Sequence, residues 1–278
     1  MHIFYVQGGG LGHLTRIDQC IRVLNIPHQE VLIITPSTFA HYFKTYTFKS
    51  ISWKSSVTDW TKVILHILET YPVTTFYIDA FPLGIKGELI PIFKKFKTLK
   101  YIYVSRILKW DTYLEMLPEL YQPKFHKTLV LEYLYKHHYS WITKHSKHLE
   151  FLKIYDHVDK ASSRPKEAPY GLLIHSGGAK DVHKLCEIVA KDSELENIKV
   201  RVFTQVSVAF SNPLFEFRTD VYPINKYLEN ALKIYTAAGF NSMHALKPYA
   251  QKHIAVAFDK LFDDQFYRLE NFRHKRHI

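Results

Sequence analysis

Apolar residues in this chain keep two rhythms. Short unbroken runs, at 3–6, 30–35, 48–52, 75–78 and 100–104, read as strands buried in a parallel sheet. Between them the apolar positions recur at helical spacing: Ile17, Cys20, Ile21, Val23 and Leu24 after the first run, then 39–43, 60–68 and 83–96. Strand and helix in alternation predict a doubly wound α/β unit. From 107 to 156 the rhythm loosens into aromatics and lysines, with Leu131, Leu134 and Tyr135 giving a local helical stripe. That stretch reads as a core helix with a solvated basic face, or alternatively as a contact for a membrane surface or polyanion.

A polar, proline-bearing stretch at 159–169 reads as a linker, and a second cycle follows it. Strands are predicted at 170–174, 199–204, 220–222, 231–236 and 254–258. Helices are predicted around Val182, Leu185, Cys186 and Val189, into Leu246, and near the end to Arg273. The expected organisation is an α/β protein with two Rossmann-like domains, 1–158 and 170–278, their parallel sheets facing across a cleft.

Composition narrows the classes. With 278 residues, 47% of them hydrophobic, the chain can build a full core and is not disordered. Its two cysteines, Cys20 and Cys186, both fall in helical patterns, so neither a disulfide framework nor a zinc site is expected. No apolar run has the length of about 18 residues that a membrane span needs, and Met1 runs directly into the first strand, leaving no room for a signal peptide. The cytoplasm is the expected compartment. A net charge of +11 favours anionic partners. No helix-turn-helix, zinc finger or aromatic RNA-binding strand accompanies that charge, so nucleic acid is not an expected partner.

The candidate chemistry sits in the turns. After the first strand come Gly8, Gly9, Gly10 and Gly12, with His13 at the rim of the helix that begins there. A glycine-rich strand-to-helix turn leaves amide groups pointing at whatever docks on it, and suits an anion. His13 is a candidate proton acceptor, or else a capping or packing residue. The dinucleotide fingerprint G-x-G-x-x-G fails, since its last glycine would be His13. Asp79 ends a strand and reads either as a ligand-facing carboxylate or as a cap for the segment after Pro82. The second half repeats the device with His175, Ser176, Gly177 and Gly178, then Gly239, Phe240, Asn241 and Ser242, and finally Asp263, Asp264 and Gln265. Each alone has a local reading as turn glycine or helix cap.

In this order, the four motifs resemble the GT-B glycosyltransferases. The nearest branches are the bacterial N-acetylglucosaminyltransferase of peptidoglycan synthesis and the UDP-glycosyltransferases. The resemblance implies metal-independent transfer from a nucleotide-sugar co-substrate, UDP-linked, with no other cofactor. It implies His13 as the base and Asp79 as the carboxylate that holds it. Gly10, Gly12, Ser176, Gly177, Gly178, Gly239, Phe240, Asn241, Ser242, Asp264 and Gln265 would be the substrate and donor residues. The acceptor is open; a lipid-linked acceptor would bring peripheral association with an anionic inner membrane face. One departure stands out: the ribose-binding Glu of the family is missing near Ala245. A binding protein without transfer, and a sugar-nucleotide epimerase of the same fold, are therefore the alternative readings.

Overall fold

The computed structural model describes residues 1–155 and 168–274. It divides into a first unit, Met1–Ile154 with Leu261–Asp264, and a second, Tyr155–Lys260 with Gln265–Ile278. Most of the expected linker, 159–167, lies outside the described residues.

In the first unit the strands are β1 (His2–Tyr5), β2 (Val31–Thr35), β3 (Thr47–Ser50), β4 (Thr75–Asp79), β5 (Lys100–Ser105), β6 (Lys127–Val130) and β7 (Leu149–Phe151). They form one sheet in the order β3-β2-β1-β4-β5-β6-β7, every pairing parallel. The helices are α1 (Leu11–Val23), α2 (Val57–Thr70), α3 (Ile90–Lys95), α4 (Trp110–Glu115) and α5 (Lys136–His145). The central strands β2 and β4 are buried along their whole length, as unbroken apolar runs covered on both faces must be. Helix α2 is fixed at its start by a reciprocal capping box between Ser56 and Asp59.

The second unit is smaller, with β8 (Tyr170–His175), β9 (Val200–Thr204), β10 (Phe215–Arg218), β11 (Ala231–Ala237) and β12 (His253–Val256), and helices α6 (Ala179–Val189), α7 (Phe240–Ala245) and α8 (Gln265–His274). Its sheet runs β10-β9-β8-β11-β12, again all parallel. Leu173, Val182, Leu185, Val189, Val202 and Tyr235 centre one of its cores.

Three expectations are corrected. The helix expected over 83–96 is confined to Ile90–Lys95, because Gly84 and Gly87 take left-handed φ of 85° and 83°. The loop before it wraps the buried Glu88 carboxylate, which accepts from the amides of Ile85 (2.9 Å) and Lys86 (2.8 Å) and from Tyr5 Oη (2.6 Å). The strand expected at 220–222 lies instead at Phe215–Arg218, and Asp220 is left-handed with φ 55°, which breaks extended pairing. The stripe at 131–135 is not helical; Glu132 turns inward there to accept from the amide of Ile107 at 2.8 Å. The loosened stretch adds β6 and β7 to the sheet, and its core helix is α5, which buries His138 and Ile142.

Candidate functional site

In a parallel sheet whose connections run outward from the middle, the strand order reverses at one point. Ligands bind in the crevice beyond the carboxyl ends there. In the first unit the reversal falls between β1 and β4, which are direct neighbours. The glycine turn leaves β1 at this point, and Asp79 ends β4.

His13 lies on the first turn of α1 and Arg16 one turn further along the same face. Asp79 Oδ2 lies 2.6 Å from His13 Nδ1, while Arg16 grips the same carboxylate in a fork, Nε to Oδ1 at 2.8 Å and Nη2 to Oδ2 at 2.6 Å. Arg16 and Asp79 are buried, and the His13 side chain keeps 19% exposure. An ionised carboxylate so close to Nδ1 requires a proton there, so Nδ1–H donates to Asp79 and Nε2 carries the free lone pair. Burial alone would raise the Asp79 carboxyl. The Arg16 charge and the His13 hydrogen bond outweigh it and hold the group far below the usual carboxylate range. Burial and then the Arg16 charge lower His13, so its imidazole is neutral near pH 7 despite the neighbouring carboxylate.

The backbone also serves this geometry. Ala80, directly after Asp79, is left-handed with φ 61°, and the Phe81 amide turns back to Asp79 O at 2.7 Å. Such a three-residue turn is strained for a residue with a side chain. It is held by the Ala80 amide bonding Val104 O (3.0 Å) and by Tyr103 Oη donating to Ala80 O (2.9 Å). On the other side the His13 ring packs over Gly8: a Cβ at residue 8 would fall 2.3 Å from the ring Cδ2 and 2.4 Å from Nε2. Gly10 is the cap of α1 with open space over it, and Gly12 lies inside the helix. The result is a neutral imidazole of fixed tautomer beside an amide-rich turn, an arrangement able to take a proton from a hydroxyl.

The second sheet reverses between β8 and β11, also direct neighbours. The turn after β8 carries Ser176, Gly177 and Gly178, and the turn after β11 carries Gly239, so these two glycine turns leave adjacent strand ends. Gly178 and Gly239 cap α6 and α7 with no side-chain cap, and each has open space where a Cβ would stand. The Phe240 ring is buried against Tyr155 and His244. Asn241 and Ser242 follow on the first turn of α7.

Asp264 and Gln265 part company. Leu261–Asp264 belongs to the first unit, where Asp263 accepts from Arg106 Nη1 at 2.5 Å, Asp264 accepts from Tyr135 Oη, and the Phe262 ring packs edge-on to Phe81 at 5.2 Å. Gln265 is buried in the second unit, its Oε1 accepting from the Phe258 amide at 3.1 Å. Sequence reasoning missed Arg16. Its signal was there, a charged residue between Leu14 and Ile17 on the buried face of α1, which demands an opposite charge. Among the described residues no group of three or more His, Cys, Asp or Glu is placed to hold a metal ion. No described helix is long and apolar enough to cross a membrane.

No family model and no curated protein matches this sequence. Solved structures do match in fold, and the fold they define is GT-B. The spinosyn forosaminyltransferase SpnP aligns over 99% of this chain and 83% of its own, with a TM-score of 0.62 at 12% identity. The glycosyltransferase SnogD from Streptomyces nogalater aligns over 98% and 84%, with a TM-score of 0.56 at 8% identity. MnaA of S. aureus, solved with UDP, aligns over 94% and 80%, with a TM-score of 0.57 at 9% identity.

Proposed function

We propose that this chain is a glycosyltransferase that moves a sugar from a UDP-linked donor to an acceptor hydroxyl, with His13 as the base. The observation that carries the reading is the imidazole at the β1–β4 switch point, fixed in one tautomer by a buried Asp79–Arg16 pair. In the step, the acceptor oxygen bonds the sugar C1 and gives its proton to His13 Nε2. The C1–O bond to phosphate breaks with its electron pair going to the leaving nucleotide. The glycine turns after β8 and β11, and the helix starts they feed, would bind the diphosphate. UDP in the MnaA co-structure supports the choice of nucleotide. Metal independence rests on the resemblance and on these amide-rich turns as the source of charge stabilisation.

A thermal-shift screen across nucleotides and nucleotide-sugars tests the donor. A ligand at about 100 times its Kd adds roughly 2.7 kcal/mol of stability, a clear rise in Tm. A UDP-specific rise supports the reading, and no rise with any nucleotide removes it. The donor so found then serves a transfer assay in which His13→Ala lowers turnover by about 10²- to 10⁴-fold and spares nucleotide binding.

One observation favours a second reading: Ala245 ends α7 where the family's ribose-binding Glu is expected. Donor binding without transfer to any of a broad acceptor panel would make the chain a nucleotide-sugar-binding protein; sugar inversion without acceptor would make it an epimerase. A lipid-linked acceptor and an anionic membrane face are subsidiary proposals. They are motivated by Tyr133 and Phe151, each 60% exposed, in a stretch of sequence that also carries Lys136, Lys144 and Lys147. Flotation with vesicles of anionic against neutral lipid tests them.

A further inference from the structure

The turn after β8 carries side chains whose placement the transfer step does not yet use. His175 ends the strand and folds its ring over Gly177, where a Cβ would fall 2.3 Å from Nε2. Nε2 lies 3.4 Å from Asp181 Oδ2, on the first turn of α6, and the same oxygen is ion-paired with Lys260 Nζ. Beneath them the Phe258 ring stacks on His175 at 5.9 Å and 18°. Its flanks carry two ammonium groups, Lys184 at 5.7 Å and Lys260 at 5.8 Å from the ring centroid. Gln265 pins the backbone of this platform through the Phe258 amide.

Lys260 and the His175 imidazole therefore meet at one carboxylate that is 18% exposed, beside an uncapped glycine turn, with the Lys184 ammonium over the neighbouring Phe258 ring. Lys260 is a third exposed and sits on a flexible stem, so it can change partners. A carboxylate there repels any phosphate, and it holds the lysine that would bind one. We propose that Lys260 is the residue that neutralises the leaving diphosphate, released from Asp181 when the nucleotide binds, while His175 on the Phe258 platform keeps the turn open for it. This rests on the reading of the chain as a nucleotide-sugar enzyme. As the C1–O bond breaks, the electron pair settles on the phosphate oxygen, and the Lys260 ammonium meets that charge without giving up its proton.

Binding of UDP and of inorganic pyrophosphate, measured by calorimetry on the full chain, tests it. Lys260→Met is expected to weaken both by about tenfold or more, the loss typical of a charge-assisted contact. Asp181→Asn is expected to tighten both several-fold, since it frees the lysine and removes the repulsion. A merely structural pair would weaken in both variants. Unchanged binding in Lys260→Met, or weaker binding in Asp181→Asn with the fold intact by circular dichroism, overturns the assignment and leaves the transferase reading standing. Wild-type protein that binds neither probe overturns both.

Discussion

Two imidazoles in this chain lie over glycines, His13 on the first turn of the helix after β1 and His175 at the end of β8, each beside a carboxylate that also holds a cation. The ensemble around His13 is built to stay put. Its carboxylate comes from another strand, its cation is a bidentate arginine, and both are buried. The ensemble around His175 is built to exchange. Its carboxylate is local to the next helix, its cation is a partly exposed lysine, and its hydrogen bond is long at 3.4 Å. On the two roles proposed above, one motif would serve two tasks, according to whether its cation can let go. A proton acceptor needs a fixed tautomer and position, whereas a group that receives an incoming anion needs a charge it can release.

The comparison breaks most visibly in turnover. His13→Ala should lower the transfer rate by about 10²- to 10⁴-fold, the usual worth of a positioned base. His175→Ala should act chiefly on nucleotide affinity. Equal rate losses, read from initial velocities at saturating donor, would erase the distinction. Stability sharpens it next. Asp79→Asn strands a buried guanidinium and should cost about 3–5 kcal/mol in denaturant unfolding of the first unit. Asp181→Asn, at a partly exposed pair, should cost about 1 kcal/mol or less. The glycines follow. Gly8→Ala drives a methyl into a ring held at 2.6 Å by buried Asp79 and should cost about 1–3 kcal/mol, and Gly177→Ala less, because the His175 ring is held by a longer contact of 3.4 Å. Comparable shifts in Tm for both would mean that His175 is as rigid as His13.

The smallest effect is one of pH. Burial, with the Arg106 charge second, pushes His138 in the first unit down to about 3. Its folded value lies below the unfolded one of about 6.5, so the unfolded chain binds the proton first. The stability this group contributes is complete above that value and is lost as pH falls through the interval toward 3. At pH 6 the loss should be roughly 1 kcal/mol, absent in His138→Phe. A wild-type stability that is flat from pH 7 to 5 would contradict the buried, neutral imidazole.

Much of this architecture was legible because parallel strands covered on both faces must be continuous apolar runs. The runs at 30–35 and 75–78 fall on β2 and β4 for that reason. The glycine turns were legible because a strand running through glycines into a helical period has few other meanings. What escaped was whatever long-range pairing decides. Apolar periodicity over 83–96 says helix, and only the fold shows that Glu88 needs the amides of Ile85 and Lys86 more than a helix needs them. Strands β6 and β7 are short and lie among aromatics that fit a helix face as well. Arg16 hid in a polar-looking Thr-Arg pair, and Lys260 lies far in sequence from its partner Asp181.

One feature of the chain's path bears on how its gene could be divided. The tetrapeptide Leu261–Asp264 is encoded after the whole of the second sheet, yet its Phe262 ring closes over Phe81 and Tyr113 and its Asp263 faces Arg106 in the first unit. A split-gene version cut at 158 would therefore produce a first half lacking part of its own interior. It would leave Phe81 and Tyr113 without the Phe262 ring that packs on them, and grafting those four residues back would restore that contact.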